Sequence, residues 1–178
     1  MACIFDRKAL AFGALALIGF ALPASADDVQ LARGKYLVAI TGCSDCHTPG
    51  GMLGSADMKR YLGGSDVGFA IPGAGVFLGS NLTPDKATGL GDWTNEQIVA
   101  AIRTGKTPDG RELSPVMPWP GFSHLSDEDA LAIAAFLKSL PAVDNKVPGP
   151  FKPTDKVTVF VSAVLPADAY NALPDSLK

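Results

Sequence analysis

Apolar residues fall along this chain in blocks of different period, and each period predicts a different element. The first block, Ala9 to Leu22, is continuous and uncharged. Arg7 and Lys8 precede it, and Ala24-Ser25-Ala26, a small-x-small sequence, follows it. A basic start, a short apolar run and a small-residue cleavage site form the layout of a secretory leader. The run is shorter than the roughly 20 residues that span a bilayer. The expectation is a cleaved signal peptide over residues 1–26, with Asp27 opening the mature chain and Cys3 discarded.

Later blocks have helical period. Val29 to Ile40 predicts a first helix, with Gly34 in its middle. Glycine inside a helix costs about 1 kcal/mol, which the close approach of another helix would offset. Thr94-x-x-Gln97 is a capping box, so a helix should start at Asn95 and end before Gly105. Ser126 precedes three acids, Asp127, Glu128 and Asp129, which suit the positive end of a helix dipole. That helix should run from Asp127 to Ser139, with Leu131, Ala134, Ala135 and Leu137 on its apolar side, until Leu140-Pro141 stops it. Between the first two helices, Pro49-Gly50-Gly51, Gly63-Gly64 and Pro72-Gly73-Ala74-Gly75 punctuate residues 49–92 as mostly loop, and a loop of that length usually has a function. In the tail, Val147-Pro148-Gly149-Pro150-Phe151-Lys152-Pro153 reads as a stiff linker. Val157-Thr158-Val159-Phe160-Val161 alternates weakly and favours an extended segment. This tail is either a strap packed back on the domain or a docking element. The strap is preferred, because most apolar segments are buried.

Charge narrows the function classes. The 178 residues hold 18 acidic and 15 basic side chains, a net charge of −3. Losing Asp6, Arg7 and Lys8 leaves the mature chain slightly more acidic. With no basic run, it is a poor nucleic-acid binder. No later stretch is long and apolar enough to anchor it in a membrane. The expected protein is exported to the periplasm, with residues 27–141 as its domain and 142–178 as a Pro-rich extension.

Candidate chemistry lies in Cys43-Ser44-Asp45-Cys46-His47, in a chain with only three cysteines and two histidines. A C-x-x-C pair serves disulfide exchange, zinc, iron–sulfur clusters or covalent haem. A structural zinc site wants four ligands, and His47 is too near Cys46 to be a comfortable corner of one tetrahedron. A cluster wants about four thiolates, and the mature chain has two. A redox disulfide usually sits at a strand-to-helix junction, whereas Tyr36 to Ile40 reads as the end of a helix. Haem uses every element. On a helical turn, Cys43 and Cys46 share a face, so each thiol can add to one vinyl group while His47 reaches the iron.

The sixth iron position has four candidates: Met52, Met58, Met117 and His124. Leu113-Ser114-Pro115-Val116-Met117-Pro118-Trp119-Pro120 brackets Met117 with prolines, which forbid a helix and stiffen the chain. Such a strap can hold a thioether against a metal, although methionine also fills cores. Met52 and Met58 are too close to His47 in sequence to cross the ring easily. His124 is the rival, and its place before Ser126 suggests a surface or capping role.

With Arg33-Gly34-Lys35-Tyr36-Leu37, Cys43 to Thr48, Ser80 to Asp85, Thr88 to Thr94, Pro115 to Trp119 and Ser126 to Asp129, the chain resembles class I cytochromes c over roughly residues 28–141. It is most similar to the haem domains in cytochrome subunits of periplasmic and membrane-bound dehydrogenases. The resemblance implies an all-α fold of few helices and long loops around one covalent haem c, followed here by the extended tail. It implies that Met117 is the second axial ligand and that the first and last helices cross near Gly34 and Phe136. It suggests Pro72 as the carbonyl accepting from His47, and Trp93 as a donor to a haem propionate. Asn81 and Arg103 are further polar candidates for propionates.

A His/Met iron has both axial positions filled and can only change oxidation state. The expected function is therefore one-electron transfer, without catalysis, between a dehydrogenase and a respiratory acceptor such as an oxidase or another cytochrome. The alternatives are a subunit fixed in a dehydrogenase complex, a haem protein with an open ligand site, and a thiol–disulfide oxidoreductase.

Overall fold

The computed structural model describes residues 25–177, so the signal peptide expected over residues 1–26 lies almost wholly outside the described residues. Helix α1 spans Ala26–Ile40 and is capped by Ser25, whose hydroxyl accepts from the Asp28 amide while the Asp28 carboxylate accepts from the Ser25 amide. Gly42, at φ 68°, turns the chain sharply into α2, Cys43–His47. Two strands follow, β1 (Val67–Ile71) and β2 (Gly75–Leu78), then α3 (Asn95–Thr104), α4 (Trp119–Phe122) and α5 (Asp127–Ser139). The tail adds β3 (Phe160–Ala163) and α6 (Ala167–Asn171).

The capping signals act as read. Thr94 and Gln97 form both bonds of a capping box at the start of α3, which ends at Gly105 with φ 70°. The Ser126 hydroxyl accepts from the Asp129 amide at the start of α5. Gly34 is the contact point of α1 with α5. A methyl group there would lie 2.0 Å from the Ala132 carbonyl oxygen and 2.7 Å from Phe136 Cβ. The core forms where these helices meet α3, with Leu37, Val38, Ile98, Ile133, Ala134 and Leu137 buried together. The Lys138 ammonium ties the end of α5 to the turn before α3, donating to the carbonyls of Leu90 (3.1 Å), Gly91 (2.7 Å) and Trp93 (3.0 Å).

The expectation of a purely all-α fold needs correction. The described residues contain six helices and a three-stranded sheet in the order β2-β1-β3. β1 pairs antiparallel with β2, placing Phe69 opposite Phe77, and parallel with β3, placing Phe69 opposite Ser162. The hairpin lies inside the span read as loop. Its two apolar runs flank Pro72-Gly73-Ala74, and that turn signal closes a hairpin rather than marking irregular chain. The tail contributes backbone pairing as well. Val76 and Phe151 exchange two hydrogen bonds of 2.9 Å on the other edge of β2.

Candidate functional site

The residues of the C-x-x-C-H segment occupy one short helix, so Cys43, Cys46 and His47 stand at i, i+3 and i+4 on one face. All three line a cavity of about 490 Å³. Its walls are largely apolar, with Leu82, Leu90, Ile98, Ile133 and Leu137 contributed by the loop before α3, by α3 itself and by α5. Met117 lines the same cavity from the proline-flanked strap. That strap is fixed locally, because the Met117 amide donates to the Ser114 carbonyl at 3.0 Å and the Trp119 amide to the Met117 carbonyl at 2.7 Å. Met52, Met58 and His124 are exposed and do not line the cavity.

His47 is buried, and its Nδ1 lies 2.7 Å from the Ser80 carbonyl oxygen. A carbonyl can only accept, so Nδ1 carries the proton and Nε2 keeps a free lone pair. Burial pushes the imidazole pKa down, opposed more weakly by the bond to Ser80. The ring is thus neutral, correctly tautomeric and oriented, as a metal-ligating histidine must be. Both cysteines are unbridged. Burial raises the pKa of the Cys43 thiol, as it does that of Cys46. A disulfide-exchange enzyme lowers its attacking thiol's pKa instead, which argues against the oxidoreductase reading. Among the described residues, no group of three or more His, Cys, Asp or Glu side chains could hold a metal ion.

The acceptor for His47 corrects an expectation. Pro72 was the expected carbonyl, but it is exposed in the turn between β1 and β2 and lines a different depression. Ser80 takes its place because β2 returns the chain to α2. Gly79 lies so close that a Cβ there would meet the Cys46 carbonyl oxygen at 1.7 Å. Asn81 lines the cavity, yet its amide is committed elsewhere. Nδ2 donates to Thr88 Oγ1 (3.0 Å) and the Val143 carbonyl (2.7 Å), and Oδ1 accepts from the Thr83 amide (3.0 Å) and hydroxyl (2.7 Å). All four positions are used, leaving none for a propionate. Arg103 pairs with Asp127. Trp93 lines the cavity. Arg111, also in the lining, was not singled out from the sequence; only the spacing of a lone basic residue before the Met117 strap could have marked it.

The donor set fits a c-type haem. Two thiols sit a helical turn apart beside an imidazole whose Nε2 is free, a thioether lines the same cavity, and the intervening walls are apolar.

Comparison with known proteins agrees with this chemistry. The family model described as cytochrome c matches residues 31–141. The chain is 34% identical over 146 residues to the cytochrome c subunit of a quinone alcohol dehydrogenase from Gluconobacter oxydans, covering 80% of this chain and 29% of that protein. It is 34% identical over 135 residues to the fructose dehydrogenase cytochrome subunit of Gluconobacter japonicus, covering 72% of this chain and 26% of that one. It is also 39% identical over 117 residues to a diheme cytochrome c-type protein of Cereibacter sphaeroides, covering 63% and 36% respectively. The chain therefore spans less than a third of the two dehydrogenase subunits.

Proposed function

The chain belongs to the cytochrome c family, and from that premise we propose that it is the electron-transfer subunit of a periplasmic dehydrogenase, handing single electrons on to a respiratory acceptor. It is an electron-transfer protein rather than an enzyme with a substrate of its own. The observation that carries the reading is the convergence of Cys43, Cys46, His47 and Met117 on one apolar cavity.

When bound, haem c supplies a one-electron couple at its iron. Cys43 and Cys46 would anchor it through two thioethers. His47 would hold the iron through Nε2, with Ser80 keeping the imidazole in place. Met117 would supply its sulfur as a further iron ligand, which would raise the potential relative to two histidines. Leu82, Leu90, Ile98, Ile133 and Leu137 would exclude water from the group. Because the relatives are named as dehydrogenase subunits, partnership within such a complex is favoured over free diffusion. Among the described residues, no helix is long and apolar enough to cross a membrane.

The test is expression in a host equipped for cytochrome maturation. The ferric protein should show the weak red absorption band of iron–thioether ligation, and Met117→Ala should lose it with a marked fall in midpoint potential. Persistence of that band in the variant would overturn the ligand assignment. Co-purification with a dehydrogenase subunit supports the complex, and purification alone would indicate a free carrier.

A further inference from the structure

Four consecutive residues in the cavity lining come from the tail: Val147, Pro148, Gly149 and Pro150. They lie beyond residue 141, where the match to the cytochrome c family ends. Chain outside the family's domain therefore contributes a wall of the site.

This stretch suits an apolar ring. It carries no charge. Its two prolines have no amide hydrogen, so half of its residues present no backbone donor to be stripped of water. It is also fixed at both ends. Before it, the Val143 amide donates to Thr83 Oγ1 at 3.1 Å. Asn145 donates from its amide to Thr88 Oγ1 (3.2 Å) and from Nδ2 to the Gly63 carbonyl (2.7 Å). After it, Phe151 is joined to Val76 of β2, and a Cβ on Gly75 would meet the Phe151 carbonyl oxygen at 2.0 Å. In between, half-buried Val147 presses on Gly64, where a Cβ would lie 2.2 Å from Val147 Cγ2. The Gly64 amide in turn donates to the His47 carbonyl at 2.7 Å. The tail thus crosses from the loop before α3 to the hairpin and rests on the segment that backs His47.

We propose that residues 147–150 of the tail lie against the bound haem and raise its midpoint potential by keeping water from that side. The inference rests on the haem site proposed above. The ferric group carries one more positive charge than the ferrous one, so water stabilises it more. An apolar wall removes that water and favours reduction. The first half of the tail is then part of the redox site and not a docking element.

The test uses the haem-loaded protein with its tail intact. Haem staining on a denaturing gel comes first; a parent that does not stain defeats the functional reading itself and is thereby distinguished from failure of this inference. In the reduced parent, proton NMR should show nuclear Overhauser contacts between the Val147 methyls and the haem ring substituents, and their absence would overturn the proposal. Val147→Ser should lower the midpoint potential and keep the red band. Val164 is a tail residue, 93% exposed, that does not line the cavity, so Val164→Ser should leave the potential unchanged. An unchanged potential in Val147→Ser, an equal fall in Val164→Ser, or a fall accompanied by loss of the red band would refute the wall. Should Val147→Ser fail to accumulate, Val147→Thr keeps the shape and adds a hydroxyl; a lowered potential there supports the proposal and a parent-like one contradicts it.

Discussion

His47 and Ser80, 33 positions apart in the chain, are joined by one hydrogen bond in which Nδ1 donates to a backbone carbonyl at 2.7 Å. The bond depends on β2 reaching the back of α2, and Gly79 permits that approach. A Cβ on residue 79 would stand 1.7 Å from the Cys46 carbonyl oxygen and 3.2 Å from His47 Nδ1. A backbone oxygen cannot rotate away, so Gly79→Ala must separate the two segments and take the Ser80 carbonyl from the ring. The expected loss is about 1–3 kcal/mol in chemical denaturation of the haem-loaded protein. The midpoint potential should rise, because an imidazole without its acceptor donates less to ferric iron. Parent-like stability and potential would contradict this geometry.

The crossing of α1 and α5 makes a second prediction. Gly34→Ala places a methyl group 2.0 Å from the Ala132 carbonyl oxygen, and neither helix can yield without disturbing Leu37 and Ile133. Overpacking of this kind costs about 1–3 kcal/mol, more than alanine gains from its higher helix propensity. Thermal melts should therefore show the variant less stable. An increase in melting temperature would mean that the helices stand further apart.

Asn81 links three segments through its amide. Asn81→Ala would leave the buried Thr83 amide and the half-buried Val143 carbonyl without their partner, and a buried loss costs about 1–3 kcal/mol. A total near 3 kcal/mol is expected from urea titration, with the midpoint potential of the folded variant staying close to the parent's. A large change in potential with little change in stability would instead restore Asn81 as a propionate partner.

Acid should weaken the α1–α5 contact at its surface. Arg33 bonds the Asp129 carboxylate at 2.8 and 3.1 Å, and this bond holds the carboxyl below the usual carboxylate range. Its folded pKa is therefore below its unfolded one. The contribution is fully present above the unfolded value and is lost as pH falls through the folded value. Asp129→Asn should melt slightly below the parent at neutral pH, since exposed pairs contribute little. The two should converge in acid. A gap that widens in acid would reverse the sign.

Much of this was legible in the residues. The Thr94–Gln97 capping box marked the start of α3, the Ser126 cap marked that of α5, and Gly34 marked the helix crossing, because caps and close approaches leave local signatures. The C-x-x-C-H spacing placed three site residues on one face before any tertiary information. The hairpin was missed because Pro72-Gly73 reads equally as loop punctuation or as a turn, and the pairing that decides between them is nonlocal. Ser80 was missed for a related reason. It acts through its backbone carbonyl, which every residue has, so its side chain gives no hint of the role. The fate of Asn81 depended on Thr83, Thr88 and Val143 meeting around it, which no short motif encodes.

The central claim is that one haem is bonded to this chain through Cys43 and Cys46. Its most direct test is the intact mass, under denaturing conditions, of protein produced with the cytochrome maturation system. The predicted mass is that of the polypeptide plus one haem, falling to that of the bare polypeptide when both cysteines are replaced by alanine. A bare-polypeptide mass for the parent itself would contradict the account.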